Sequence, residues 1–156
     1  MSPFRGTVSA RAATLGFAAG LRTFTPLAAL SLQPQRSRRL RRYLVVAALI
    51  ELGLDKLPRT PSRLGAAPLG GRLLSGATAA VVAEGPRAAP AGMLSALIGA
   101  HVGARVRRRA AVDMGWPDYV AAGLEDALAL TLATVAAQPR RPAPTSRSRP
   151  AVVPVQ

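Results

Sequence analysis

Glu51 and Asp55 stand four residues apart in an apolar run, and on a helix that spacing puts both carboxylates on one face. Lys56 follows at once. Arg22 interrupts an earlier apolar stretch, Arg72 opens a later one, and Glu125 and Asp126 sit side by side in the last. An isolated charge at the centre of a bilayer costs about 2.5–3.5 kcal/mol even on lenient insertion scales. Charges of both signs in one short apolar chain must therefore face one another, water or lipid headgroups. The expectation is a polar interior where Glu51, Asp55, Glu125 and Asp126 converge with Arg22, Lys56, Arg63 and Arg72, with Asp118 at the head of the last helix. Glu51 and Asp55 are the expected partners of Arg22, Lys56 or Arg72, and Glu125 with Asp126 forms a second acidic cluster. Protonation or cation binding at these acids would shift the balance of such a network.

Other chemistry has little to stand on. The chain lacks cysteine, which removes disulfides, thiolate metal sites and cysteine nucleophiles. His101 is the single histidine, so no His-rich metal site or conventional relay is available, and it reads as a packed or interfacial side chain. No nucleophile motif, metal-ligand set or phosphate-cradling glycine loop occurs. No enzyme activity, metal or cofactor is implied.

The elements that must carry these charges are apolar but unusual. Of 156 residues, 49% are hydrophobic and only 4% aromatic, so Ala, Leu, Val and Gly supply the apolar surface. Small residues suit helices that pack backbone to backbone, as membrane helices do. The net charge is +14 and Lys56 is the only lysine. Basic excess raises nucleic acid as a partner, but these arginines fall in blocks beside apolar stretches, lack interleaved aromatics and match no nucleic-acid module. Blocks of this kind resemble the cytoplasmic loops of membrane proteins. Residues 1–20 lack the compact apolar core and cleavage site of a signal peptide.

Five apolar segments follow along the chain: 8–32, 43–54, 73–83, 88–106 and 119–137. None alternates with the period of a strand. The first is long enough to span a bilayer, whereas the second covers only about a dozen residues, the length of a short or re-entrant helix. A basic loop is expected at 33–42, a turn-rich stretch at 59–71 with Thr60 and Pro61 capping a brief helix, and a disordered Pro/Arg/Ser tail at 138–156. The domain therefore runs over 1–137. Arginine blocks at 36–42 and 105–109 should both face the cytoplasm, which requires one of the three segments between them not to cross. The second is the natural candidate. Gly99 and Gly103 are spaced for close helix approach, and Trp116 and Tyr119 for an interfacial anchor. A faint echo links Gly20-Leu21-Arg22-Thr23 with Gly70-Gly71-Arg72 and Ser75, as in transporters built from repeats.

Three stretches carry a family resemblance. Residues 20–26 (GLRTFTP), 51–63 (ELGLDKLPRTPSR) and 72–77 (RLLSGA), with Pro117-Asp118 and then Glu125-Asp126, resemble the bacterial membrane family called domain of unknown function 4126. The resemblance covers roughly residues 14–137, and its most specific part is the ExxxDKLPxTPSR block. It implies an all-α, multi-pass bundle of four to five helices in the bacterial plasma membrane. It carries no assigned activity and no binding residues to transfer. Two roles compete: passage of a small ion or solute through the charged centre, or a structural or assembly role in which the charges lock helices together. The partners expected are the bilayer itself and a second copy or another membrane protein. A basic soluble protein binding nucleic acid is a third alternative, disfavoured by the arrangement of the arginines.

Overall fold

The computed structural model describes residues 9–54 and 65–139. These form six α-helices and no strand among the described residues: α1 (Ala10–Leu21), α2 (Thr25–Ser31), α3 (Arg38–Leu54), α4 (Ala66–Glu84), α5 (Ala89–Val112) and α6 (Asp118–Ala137). A single 3-10 turn, Pro86–Ala88, links α4 to α5. Asp55, Lys56, Arg63, the Thr60-Pro61 cap and most of the C-terminal tail lie outside the described residues.

The first apolar segment is broken. Pro26 lacks an N–H and its ring collides with the carbonyl four residues back in a continuing helix; that carbonyl belongs to Arg22. The α1 helix accordingly ends at Leu21, with Arg22 as its extended C-cap, and α2 restarts with Pro26 in its first turn. The chain also reverses at the break. At the start of α1, the Arg11 guanidinium donates from Nε to the Ala136 carbonyl at 2.7 Å. Just after α2, the Gln33 amide donates to the Ala137 carbonyl at 2.8 Å. Both ends of the α1–α2 unit thus meet the same end of α6, so 10–31 is a helical hairpin that enters the bundle and leaves where it came in.

This corrects two expectations. The folded-back element is the first segment, whereas the second joins the basic residues before it into the continuous 17-residue α3. At 1.5 Å per residue α3 is about 26 Å long. Arginine is a good helix former, so the block expected as a loop contributes the first turn of α3. Likewise α5 runs on through Arg105–Arg109 to Val112. The third segment is also longer than its hydropathy suggests, because α4 starts at Ala66 and includes Gly70 and Gly71. It stops at Gly85, whose φ of 92° suits glycine, with Pro86 next.

The arginine blocks lie at opposite ends. The first block follows Gln33, at the C-terminal end of α6, while Arg107 in the second binds Asp118 at the N-terminus of α6. The helices α3, α4 and α5 run alternately between the two ends, and none turns back.

Packing is unusually close. An added Cβ on Gly16 would overlap the carbonyl and Cα of Gly92, and one on Gly92 would overlap Gly76. One on Gly99 would strike Phe17, so the Gly99/Gly103 spacing presents α5 to α1. The buried cluster is Leu15, Ala18, Ala29, Leu30, Ala79, Ala133, Ala136 and Ala137. Larger apolar side chains point outward instead, among them Leu49, Leu74, Leu94, Leu124 and Val135. Two helices, α4 and α6, are long and apolar enough to cross a membrane.

Gly16→Leu is expected to destroy the bundle, because its first added atom has no space; overpacking alone typically costs about 1–3 kcal/mol, and here backbone must move. Gly123→Leu, placed where nothing lies within 4 Å, should leave the unfolding temperature in detergent within error of wild type. Thermal unfolding of both variants checks the pair.

Candidate functional site

The reversal leaves three residues, Arg22, Thr23 and Phe24, between two helices, with peptide groups no intrahelical bond satisfies. Away from water such groups must find partners. Glu51 on α3 supplies one set: its Oε1 accepts from the Thr23 N–H at 2.7 Å and its Oε2 from the Phe24 N–H at 2.9 Å. Ser75 on α4 donates its hydroxyl to the Thr23 carbonyl. The Arg22 backbone N–H closes the last turn of α1 on the Ala18 carbonyl at 2.8 Å.

The Arg22 side chain is 1% exposed; its Nε donates to Oδ1 of Asp126 on α6, and a terminal nitrogen forms an ion pair with the same oxygen. Beside it lies Glu125, its side chain 9% exposed, whose carboxylate is 3.6 Å from the Arg107 guanidinium. The same guanidinium forms a two-bond fork with Asp118, Nε to Oδ1 and a terminal nitrogen to Oδ2, each 2.6 Å. Glycine at 103 makes room for Glu125, since a Cβ there would sit 3.1 Å from Oε1. Arg72 is buried on α4 within electrostatic reach of Glu51, Glu125 and Arg22. Its Nε and the Thr25 hydroxyl are buried without a hydrogen-bond partner among the described residues.

The pairing differs from the expected one. Arg22 binds Asp126, across the bundle, and Glu51 binds backbone amides. The reason is the break itself, which places two orphan N–H groups opposite α3 and directs the Arg22 side chain toward α6. Six of the nine residues singled out, Arg22, Glu51, Arg72, Asp118, Glu125 and Asp126, gather around the hairpin tip, Arg72 through electrostatic reach and the others through hydrogen bonds or ion pairs. Asp55, Lys56 and Arg63 lie outside the described residues. The echoed positions meet in space: Thr23 and Ser75 share a hydrogen bond, and Arg22 and Arg72 lie in the same cluster.

Sequence reasoning missed Arg107, hidden within a block of arginines read as a cytoplasmic signal. It also missed Arg11, which donates to the Ala136 carbonyl, to the Ala83 carbonyl at 3.2 Å, and lies 3.7 Å from Glu84. Cations favour helix C-termini, and here one arginine serves two. An arginine early in an apolar helix was the available signal. His101 is on an exposed face of α5, where its Nδ1 pairs with the Leu97 carbonyl one turn earlier, at 2.9 Å.

No group of three or more potential metal ligands occurs among the described residues. Chemically, the site offers carboxylates and guanidinium groups around an unwound backbone. Comparison with family models, curated proteins and solved structures returns no match.

Breaking one side of a buried ion pair costs about 3–5 kcal/mol, whereas replacing both partners with apolar groups is often neutral. Asp126→Ala should therefore lower the unfolding temperature sharply, while Arg22→Met combined with Asp126→Leu recovers most of it. Equal losses in the single and double variants would show that this pair does not hold the tip.

Proposed function

We propose that the chain is a multi-pass protein of the bacterial plasma membrane, of the kind its motifs resemble, and that a small ion or solute passes by way of the charged hairpin tip. The observation that carries this reading is the unwound backbone at 22–24, bonded by side chains of α3 and α4, with the buried Arg22 side chain paired to Asp126 of α6. Irregular backbone at membrane depth is tolerated where it is buried in protein or lines a cavity, and broken helices with polar partners are how many transporters build a substrate site. Support for the membrane comes from the distribution of size: alanine and glycine fill most of the interior, with Leu15, Leu21 and Leu30, while many leucines and valines face out. That is the reverse of a water-soluble core, where the largest apolar side chains are buried. Two helices of membrane-crossing length and apolarity agree with it.

A structural role is favoured by one observation, the close pairing of Arg22 with Asp126, which leaves that charge little reason to move. The two readings separate at Glu125, a buried carboxylate beside the tip and 3.6 Å from the Arg107 guanidinium. In proteoliposomes loaded with a pH-sensitive dye, and separately with a sodium-sensitive one, the wild-type chain is expected to dissipate a proton or sodium gradient. Glu125→Gln should abolish that flux while staying resistant to alkaline carbonate and normally folded. Absence of flux in wild type, with Glu125→Gln altering only the unfolding temperature, would leave the structural role.

Orientation has its own check. Single cysteines at Ser37 and Asp113, beside the two arginine blocks, should label from opposite faces of intact spheroplasts and inverted vesicles.

A further inference from the structure

Three of the carboxylates around the hairpin tip are each needed by a donor. Asp126 holds the buried Arg22 guanidinium, Glu51 accepts from the Thr23 and Phe24 N–H groups, and Asp118 takes both arms of the Arg107 fork. Neutralising any of these would leave a cation or a backbone donor short of its acceptor, which is costly away from water. Glu125 is placed differently. Its side chain is 9% exposed, and the cations facing it come from three other elements: Arg107 of α5 at 3.6 Å, with Arg22 at the end of α1 and Arg72 of α4 within electrostatic reach. Asp126 is its acidic neighbour on α6, and α2 carries no ionisable side chain. Each of those cations has a second anion: Asp118 for Arg107, Asp126 for Arg22 and Glu51 for Arg72. A neutral Glu125 therefore orphans none of them.

We propose that the ion exchanged at the hairpin tip is a proton and that Glu125 is the residue that carries it, with Arg107 resting on Asp118 alone while Glu125 is neutral. The inference rests on the reading of the tip as a passage for a small ion, and names that ion. A proton needs one oxygen. A metal cation needs several, and the neighbouring carboxylates are held by Arg22, Arg107 and two backbone amides. A metal ion on Glu125 would also stand beside a guanidinium group, 3.6 Å from that carboxylate. Burial opposes ionisation of a carboxylate and a nearby cation favours it, and a group subject to both can change state. Glu125 can also be approached from one end of the bundle. It lies two turns into α6, about 10 Å from the start of the helix at 1.5 Å per residue. A furrow of about 140 Å³ between α5 and α6 is lined at the rim by Ala110 and Trp116 and deeper by Arg107 and Glu125.

The test uses the full chain in proteoliposomes. A proton gradient should collapse with N-methylglucamine as the only other cation, whereas a sodium gradient at uniform pH should persist. Infrared difference spectra between alkaline and acid buffer should show a carboxylic-acid carbonyl band that Glu125→Gln removes. Asp118→Asn, at an exposed position, should move the appearance of that band to lower pH, because Arg107 then bears on Glu125 alone. This variant and the wild-type ion comparison keep the test open if Glu125→Gln fails to fold. Sodium flux without proton flux, or proton flux that persists in folded Glu125→Gln, would overturn the inference and leave the transport reading standing. A band that survives Glu125→Gln, or one that Asp118→Asn leaves unmoved, would overturn it as well. No flux of either ion would remove the transport reading itself, and this inference with it.

Discussion

A broken helix leaves peptide groups that need partners, and meeting that need organises this bundle around Thr23 and Phe24. A proline placed four residues after Arg22 forces the helix open, and the exposed amides and carbonyl then recruit α3 through Glu51 and α4 through Ser75. The adjoining arginine recruits α6 through Asp126. Charges that looked costly in so apolar a chain are the means by which a broken helix is held. Their positions follow from the break, and the break follows from one residue.

Small side chains make the rest possible. With Gly16, Gly76 and Gly92 in near backbone contact, α1, α4 and α5 form a tight trio whose spacing is fixed by main chain. Such packing gains from close van der Waals contact and gives little room to adjust. It suits a site assembled from several helices, because a shift of one helix by a fraction of an ångström would be felt in every bond at the tip. Bulk is displaced to the periphery, where leucine and valine meet the surroundings.

Much of this was readable in the residues, and the unread part has a definite cause. Helical periodicity and the absence of strand alternation established an all-α chain, and the intramembrane cost of charge assembled a set that includes Arg22, Glu51, Arg72, Glu125 and Asp126 before any coordinates. Hydropathy, however, scores residues singly. It saw 8–32 as one span because Thr23 to Pro26 are only mildly polar, although the steric conflict between Pro26 and the Arg22 carbonyl was already encoded there. It also ended α3 and α5 at their arginines, which helix propensity carries forward. Partner choice was the least legible. Arg22 with Asp126, and Arg107 with Asp118, depend on which helices run side by side, and no local spacing reports that.

The Arg11 side chain has a mechanical consequence. By gripping the last carbonyls of α4 and α6 together, it ties two helices at one end of the molecule. At the other end the α5–α6 gap is bridged by the Arg107 fork to Asp118, whose carboxylate is largely exposed. An arginine thus ties helices at each end of the bundle, Arg11 joining α1 to α4 and α6 at one end and Arg107 joining α5 to α6 at the other.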